Sequence, residues 1–377
     1  MKWEKKKLCE CTEYITDGDH QPAPKADKGV HFIKIKDIVN NQVSFDAQVY
    51  VPQEYYDNLP MERKPQKEDV LYTVVGSFGI PSYVQTDELF CFERNIALLH
   101  PNKDIEPRFL YYSLKNPAFY KGVEIVANGS AQKLIPLSKL KDLKILVPDK
   151  EAQRHIADIL SAYDDLIENN QRQIKLLEEA AQRLYKEWFV DLRFPGHENT
   201  KIVDGVPEGW SRGLLKELIS VNYGKDHKKA PDDGNIPVYG SGGLMRKCNK
   251  SLFSGEAVLI PRKGSLNNIM YVDETFWTVD TMFYATMKQP HTAVFVYFFV
   301  KAFDMYSMNI GAAVPSMTTK ILDAMDVVIP DKETLEKFDK CAKTYFNKIK
   351  TLQGQNERLK TARNLLLPKL MNGKVEV

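Results

Sequence analysis

One stripe of positions recurs at alternating steps of four and three between Glu151 and about Phe189: Ile156, Leu160, Tyr163, Ile167, Asn170, Ile174, Leu177, Ala181, Leu184 and Trp188. The same steps return between Glu333 and about Leu370, at Phe338, Ala342, Tyr345, Ile349, Leu352, Asn356, Leu359, Arg363, Leu366 and Leu370, each 182 residues later. Such a heptad seam marks helices that supercoil about one another, and its apolar positions are nearly always packing. Two long helices are therefore expected, in segments 151–195 and 333–377, the latter including a C-terminal tail. Paired antiparallel, they make a rod roughly 50 Å long, about 35 residues at about 1.5 Å each. Asn170, Asn356 and Arg363 put polar groups in the seam, and buried seam asparagines fix register at some cost in stability. Trp188 and Phe189 read as core or partner-facing anchors. Pro-Asp before Glu151 and Glu333 suits a helix start, Pro195-Gly196 ends the first helix, and Pro368 terminates or kinks the second.

The chain ahead of each helix repeats as well. Trp3 and Leu8 return as Trp210 and Leu215, and Glu68-Asp69-Val70-Leu71 returns as Glu256-Ala257-Val258-Leu259, with Gly76-Ser77 matching Gly264-Ser265. From Gly129 and Gly311 onward the offset settles at 182. Runs such as Val30–Ile35 and Thr275–Val279 read as strands, and Pro107–Leu114 and Val294–Phe299 as short helices. The expected fold is α+β: two β-rich mixed domains, 1–150 and 210–332, separated by two long antiparallel coiled-coil helices, with a linker over 196–209 and an internal pseudo-twofold repeat.

Composition narrows the function. A chain of 377 residues is long enough for two or three folding units, and a net charge of +2 means any basic surface must be local. Five scattered cysteines fit reduced thiols in a cytoplasm rather than a disulfide framework or a zinc site. The charged N-terminus lacks the apolar region of a signal peptide, and Ala293–Val300 is too short to span a bilayer. No Gly-x-x-x-x-Gly-Lys-Ser/Thr loop occurs, which excludes a P-loop motor. Asn116-Pro117-Ala118-Phe119 lacks the second proline of an amino-methyltransferase loop and reads as a helix-ending turn. No histidine lies in a metal or acyl-transfer context, so no catalysis and no bound cofactor or metal are expected of this chain alone.

Binding loops are better represented. Asp17, Gly18, Asp19 and His20 form a polar turn ahead of a strand carrying Lys34 and Lys36; it reads equally as base-edge hydrogen bonders or a surface turn. In the second block, Lys225, Lys228, Tyr239, Ser241, Arg246 and Lys247 interleave with glycines that let backbone approach phosphate, though each segment also reads as a solvated loop. Arg262, Lys263, Asn267 and Asn268 are the sharper group, two bases and two amides delivered by one strand, which favours DNA contact over a neutral turn, and Gly76 and Ser77 match its turn in the first block.

In its opening Trp3 with Asp17–Pro22, its Gly129–Lys133 run into Leu137–Leu140, its Pro148-Asp149-Lys150-Glu151-Ala152-Gln153 helix start, its Leu184–Phe189 ending and its restart at Val206–Trp210, the chain resembles the specificity subunit of a type I restriction-modification system. Ile236–Gly242 and Trp277–Thr281 resemble a second type of target recognition domain. The resemblance implies two recognition domains that read the halves of a bipartite double-stranded DNA site across a fixed gap. It also implies two modification subunits carrying S-adenosylmethionine and adenine N6-methylation, and restriction (translocase) subunits carrying ATP, Mg2+ and cleavage, in the cytoplasm and not at a membrane. The second copy departs in having Glu333-Thr334-Leu335 for Glu-Ala-Gln and Leu367–Leu370 for Trp-Phe. A coiled-coil scaffold with two β-rich protein-binding modules also explains the duplication, but gives no reason for basic, glycine-rich turns. A fused methyltransferase would need a cofactor domain of a couple of hundred residues.

Overall fold

The computed structural model describes residues 2–127, 133–308 and 316–375; the Gly129–Gln132 motif and Gly311 lie outside them. The chain divides into two compact units, Met1–Asn170 with Gly354–Val377, and Gln171–Gln353.

In the first unit the strands are β1 (Glu4–Lys7), β2 (Thr12–Asp17), β3 (Val30–Ile33), β4 (Tyr50–Val51), β5 (Val70–Thr73), β6 (Pro81–Tyr83), β7 (Phe90–Phe92), β8 (Ile96–Pro101) and β9 (Lys144–Val147), beside a small hairpin of Ile38–Val39 and Gln42–Val43. Strands β2, β8, β5 and β6 make an antiparallel sheet in that order, and β4, β3 and β7 a second sheet in which β3 and β7 run parallel. Side chains of β5 and β8 alternate between two cores. Val70, Tyr72, Ala97 and Leu99 face the helices, while Leu71, Ile96 and Leu98 face Phe90 and Phe92, so an unbroken apolar run still obeys the period of two. Ile156, Ala157 and Leu160 of the first long helix (Lys150–Tyr185) and Leu367, Leu370 and Met371 of the second (Lys332–Met371) complete the helix-side core.

The second unit holds β10 (Ser211–Leu214), β11 (Ile219–Tyr223), β12 (Ile236–Gly240), β13 (Gly243–Cys248), β14 (Phe253–Pro261), β15 (Met270–Thr278), β16 (Met282–Met287) and β17 (Asp326–Ile329). Its sheet runs β11-β16-β14-β15-β12-β13. The first four repeat the order β2-β8-β5-β6, and β12 lies parallel to β15 as β3 does to β7. The nine-residue β15 thus serves where the first unit uses two short strands, β6 and β7. The polar run Gln85-Thr86-Asp87-Glu88 separates those two, whereas Met270–Thr278 stays in register with β14 across seven pairs. Likewise β10 pairs with β17 as β1 pairs with β9. The short helices match too: Lys115 Nζ donates to Tyr111 Oη at 2.9 Å, and Lys301 Nζ to Tyr297 Oη at 2.7 Å.

Both long helices start on an aspartate cap, Asp149 Oδ1 accepting from Ala152 N and Asp331 Oδ1 from Thr334 N, each at 2.9 Å. Gln153, 2% exposed, ties its helix to the preceding loop through Glu106 N, Asp104 O and Pro148 O. Its counterpart Leu335 packs in an apolar core instead. The first helix closes in a π-helical turn over Lys186–Val190. The second runs through Pro368 to Met371, so proline neither ends it there nor prevents Leu370 and Met371 from packing.

The helices pair antiparallel within each unit. In the first, Asn170 Nδ2 donates to Asn356 Oδ1 at 2.9 Å with both side chains buried, and Arg363 donates to Asp164. Tyr112 Oη also donates to Asp164, at 2.8 Å, and Lys115 Nζ lies 3.5 Å from it. Burial holds the Lys115 ammonium down at about 8, against the pull of that carboxylate. In the second unit Ala181, Tyr185 and Trp188 share an apolar core with Leu335, Phe338 and Ala342, the rings of Trp188 and Phe338 being 5.8 Å apart. Leu184, Phe189 and Tyr345 pack against that core, and Ile349 and Leu352 are buried. Ile167 is buried, and Tyr163, Ile174, Leu177, Leu359 and Leu366 are half-buried. No helix among the described residues is long and apolar enough to cross a membrane.

Asp331 also accepts a hydrogen bond from Trp210 Nε1 at 3.0 Å. Burial alone raises its carboxyl pKa, but the Thr334 and Trp210 bonds outweigh this and hold it below the usual range. A depressed carboxyl stabilises the fold above the unfolded value, about pH 4, and that stability is lost as pH falls below it. Asp331→Ala is expected to cost about 1–2 kcal/mol at neutral pH. Thermal unfolding from pH 3 to 7 checks this: the variant's deficit shrinks toward acid, and a constant deficit refutes the assignment.

Candidate nucleic-acid interface

The registers put the expected binding loops on matching ends of the two sheets. Asp17, closing β2, lies opposite Ala97, and Thr73, closing β5, opposite Ile96. In the second unit Tyr223 lies opposite Phe283 and Pro261 opposite Met282. The loops after β2 and β5 therefore leave the same sheet end as the turn before β8, and those after β11 and β14 leave with the turn before β16.

Five segments converge in the second unit. Gly224 N and Lys225 N donate to Met282 O and Thr278 O at 3.0 and 2.9 Å, and Arg262 N and Lys263 N both donate to Thr281 O, at 2.8 and 3.2 Å. A Cβ on Gly224 would lie 2.0 Å from Val279 O, so only glycine permits this approach. Val279 N donates to Tyr239 O at 3.0 Å, and Asn268 Nδ2 to Ser241 O at 2.8 Å. Asn267 donates to Asp304 Oδ1 at 2.9 Å and accepts from Met305 N at 2.8 Å, while Tyr306 Oη donates to Gly264 O at 3.1 Å.

These bonds sort the expected residues by what each still offers. Asn267 and Asn268 have their amides committed to the loop framework. Tyr239 donates its hydroxyl to Glu274 at 2.5 Å, and burial together with that carboxylate pushes its pKa up. Arg246 anchors β13 to the 227–232 loop through Asp232, His227 O and, at 2.7 Å, Ala230 O. By contrast Lys225, Lys228, Lys247 and Lys263 are exposed. The Arg262 guanidinium lies 5.5 Å from the ring centre of Tyr223, itself 53% exposed, and its side-chain hydrogen bond, to Asp280 O, is long at 3.5 Å. Cations and an exposed aromatic face thus stand on loops fixed by backbone bonds, an arrangement suited to phosphates and base faces.

The first unit is more self-contained. Asp19 accepts from Gln21 N at 3.2 Å, Tyr55 Oη at 3.1 Å and Arg63 at 3.3 Å. Burial raises its carboxyl pKa, but these partners outweigh it and hold the carboxyl low, while burial and Asp19 push the Tyr55 phenol up to about 12. Gly18 packs where a Cβ would lie 2.2 Å from Phe92 O, and His20 Nε2 lies 3.1 Å from Asp17 Oδ2. Glu93 joins this turn to the lysine segment, bridging Asp19 by backbone and accepting from Ile35 N at 2.7 Å. Lys36 is exposed and Lys34 half-buried. Gly76 and Ser77 sit on a separate loop, where Phe78 stacks on Tyr120 and Lys133 lies 5.4 Å over Phe78. Sequence patterns missed Arg63, Tyr55, Phe78 and Tyr306, whose only signal was residue type, and marked Lys133 only as the end of the Gly129–Lys133 run. No cluster of metal-ligating side chains occurs among the described residues.

A family model described as the type I restriction modification DNA specificity domain matches residues 1–179 and 207–361. The chain is 24% identical over 449 residues to the type I restriction enzyme HindI specificity subunit of Haemophilus influenzae, covering 92% of this chain and 94% of that one. It is 26% identical over 325 residues to the MjaIX specificity subunit of Methanocaldococcus jannaschii, covering 75% and 72%. Its fold matches the crystal structure of the type I restriction-modification S subunit from M. genitalium with a TM-score of 0.65 at 19% identity, over 98% and 96% of the two chains.

Arg246→Ala is expected to loosen the 227–232 loop and destabilise the second unit by about 1–3 kcal/mol, the cost of stranding buried carbonyls. Limited trypsin digestion followed by mass mapping should show faster cleavage after Lys228 and Lys229. Unchanged digestion and melting would mean that Arg246 carries no structural load.

Proposed function

We propose a function from one premise: the chain belongs to the type I restriction modification DNA specificity family. It is the specificity subunit of a type I restriction-modification system, the part that recognises DNA. On our reading it binds double-stranded DNA with two recognition units, each reading one half of a bipartite site. The two half-sites differ because the two loop sets differ. The observation that carries this reading is the convergence of Arg262, Lys263, Lys225 and Tyr223 on backbone-fixed loops, at the sheet end that corresponds to the Asp17–His20 turn of the first unit.

The long helices set the distance between the two readers, so that one spacer length becomes one gap between half-sites on a duplex repeating about every 34 Å. The chain itself supplies no chemistry. Two modification subunits bring S-adenosylmethionine and methylate adenine, and restriction subunits bring ATP, Mg2+ and cleavage. Of the sequence-selected residues, Arg262, Lys263, Lys225, Lys228 and Lys247 contact DNA directly, whereas Arg246, Asn267, Asn268 and Asp19 shape the loops that present them.

Replacing both Arg262 and Lys263 with alanine should weaken DNA binding by the reconstituted methyltransferase at moderate salt. The slope of log K against log salt should also fall by about 2, one for each lost phosphate contact. Unchanged affinity and salt slope would rule out this surface. Inserting one heptad into each long helix should change the tolerated gap and leave both half-sites intact, which methylome sequencing reads directly; an unaltered gap would refute the spacer role.

A further inference from the structure

The duplication allows each seam contact to be compared with its own counterpart. In the first unit Asn170 faces Asn356 with side chains 7% and 5% exposed, and Asp164 faces Arg363. The offset of 182 residues carries Asn170 onto Leu352 and Ile174 onto Asn356, and it carries Asp164 onto Phe346 and Ala181 onto Arg363. Every polar member of these contacts therefore corresponds to an apolar residue in the other helix. In the second unit Leu352 is 2% exposed, Ala181 is fully buried and Phe346 packs against the apolar core.

This mismatch has a consequence for pairing. The two helices share one heptad frame, so a like helix from a second copy can enter the seam in the same register. The first helix against itself would set each Asn170 on Ile174 and each Asp164 on Ala181. The second against itself would set each Asn356 on Leu352 and each Arg363 on Phe346. Both arrangements bury the amides against hydrocarbon, where they have no partner, and separate Arg363 from Asp164, which keeps Tyr112 and Lys115. First-with-second pairing is the arrangement that satisfies all four groups.

We propose that these two polar contacts act as a pairing code, admitting the second helix to the first helix's seam and rejecting the same helix of a second copy of the chain. Covalent linkage then favours the partner in the same chain, because its effective concentration is high. The Asn pair is a device of selectivity beyond any role in stability, since two leucines would fill the same layer.

Two full-length double variants test this. Asn170→Leu with Asn356→Leu removes the amides, and Ile174→Asn with Leu352→Asn gives every possible pairing a matched amide layer. Tagged and untagged copies of each are co-expressed, and recovery of the untagged copy is measured. Homotypic pairing is identified by a spin label at the exposed residue 171 (Gln171→Cys), with the exposed Cys9 and Cys341 changed to serine. Paired first helices bring two such labels within about 20 Å, given interaxial distances of about 8–10 Å. Both variants should raise mixed-copy recovery by about tenfold or more over the parent chain, the ratio expected when a stranded amide no longer opposes the pairing. A role in stability alone moves the two variants' melting points in opposite directions and leaves copy mixing unchanged. No rise, a rise in only one variant, or the short label distance in the parent chain would overturn the proposal.

Discussion

A long helix with an apolar stripe cannot stand alone in water, and here each of the two long helices contributes to the cores of both units. Ile156 and Leu160 share a core with Leu367 and Leu370 in a unit whose first described strand begins at Glu4. Phe338 and Ala342, in turn, close a core with Ala181 and Trp188. Each unit therefore depends on halves of both helices, and closure of the first spans nearly the whole chain. Such long-range closure slows folding relative to local packing, because loop-closure entropy is spent before the contacts form. The polar layers matter in this setting, since a seam left open while the rest of the chain is made is available to the wrong helix.

The same frame tolerates different contents. One strand in the second unit replaces two in the first, a buried glutamine gives way to leucine at the helix start, and an Asp-Arg contact corresponds to Phe346 and Ala181. What stays fixed is the order of sheet neighbours, the parallel pair, the capped helix starts and the tyrosine-lysine contact on each short helix. These features position the loops at one sheet end without dictating what the loops contain. Variation in the reading surface is thereby uncoupled from the scaffold, provided the new loop satisfies its own backbone groups.

Much of the scaffold was legible because its signals are local. Heptad spacing shows in residue order alone, Pro-Asp before an acidic first turn is cap chemistry, and the duplication shows as constant offsets. The second helix continuing through Pro368 was not legible. A proline in the last turn forfeits little, and the packing of Leu367 and Leu370 that retains it comes from the other end of the chain. The candidate site was only half legible for a related reason. Residue type and turn composition located the loops around Arg262 and Tyr223. They gave no sign that Asn267 would be held by Asp304, that Arg246 would brace a neighbouring loop, or that Arg63 and Tyr55 would occupy Asp19, because those partners lie between 14 and 44 residues away.

The spent side chains bear on recognition as much as the exposed ones. An amide committed on both edges, as in Asn267, cannot read a base without breaking the loop it holds, so on the proposed function its contribution to specificity is geometric. It ties the loop after β14 to Asp304 and Met305, while the Arg262 and Lys263 backbones hang from one carbonyl, Thr281 O, at 2.8 and 3.2 Å. Cations held this way lose less freedom on binding than cations on a loose loop, which favours affinity without added contacts. On the proposed function, Lys263 as a point charge positions the duplex. Arg262 keeps its planar fork beside the Tyr223 ring, and that planar pair has the geometry to discriminate between bases.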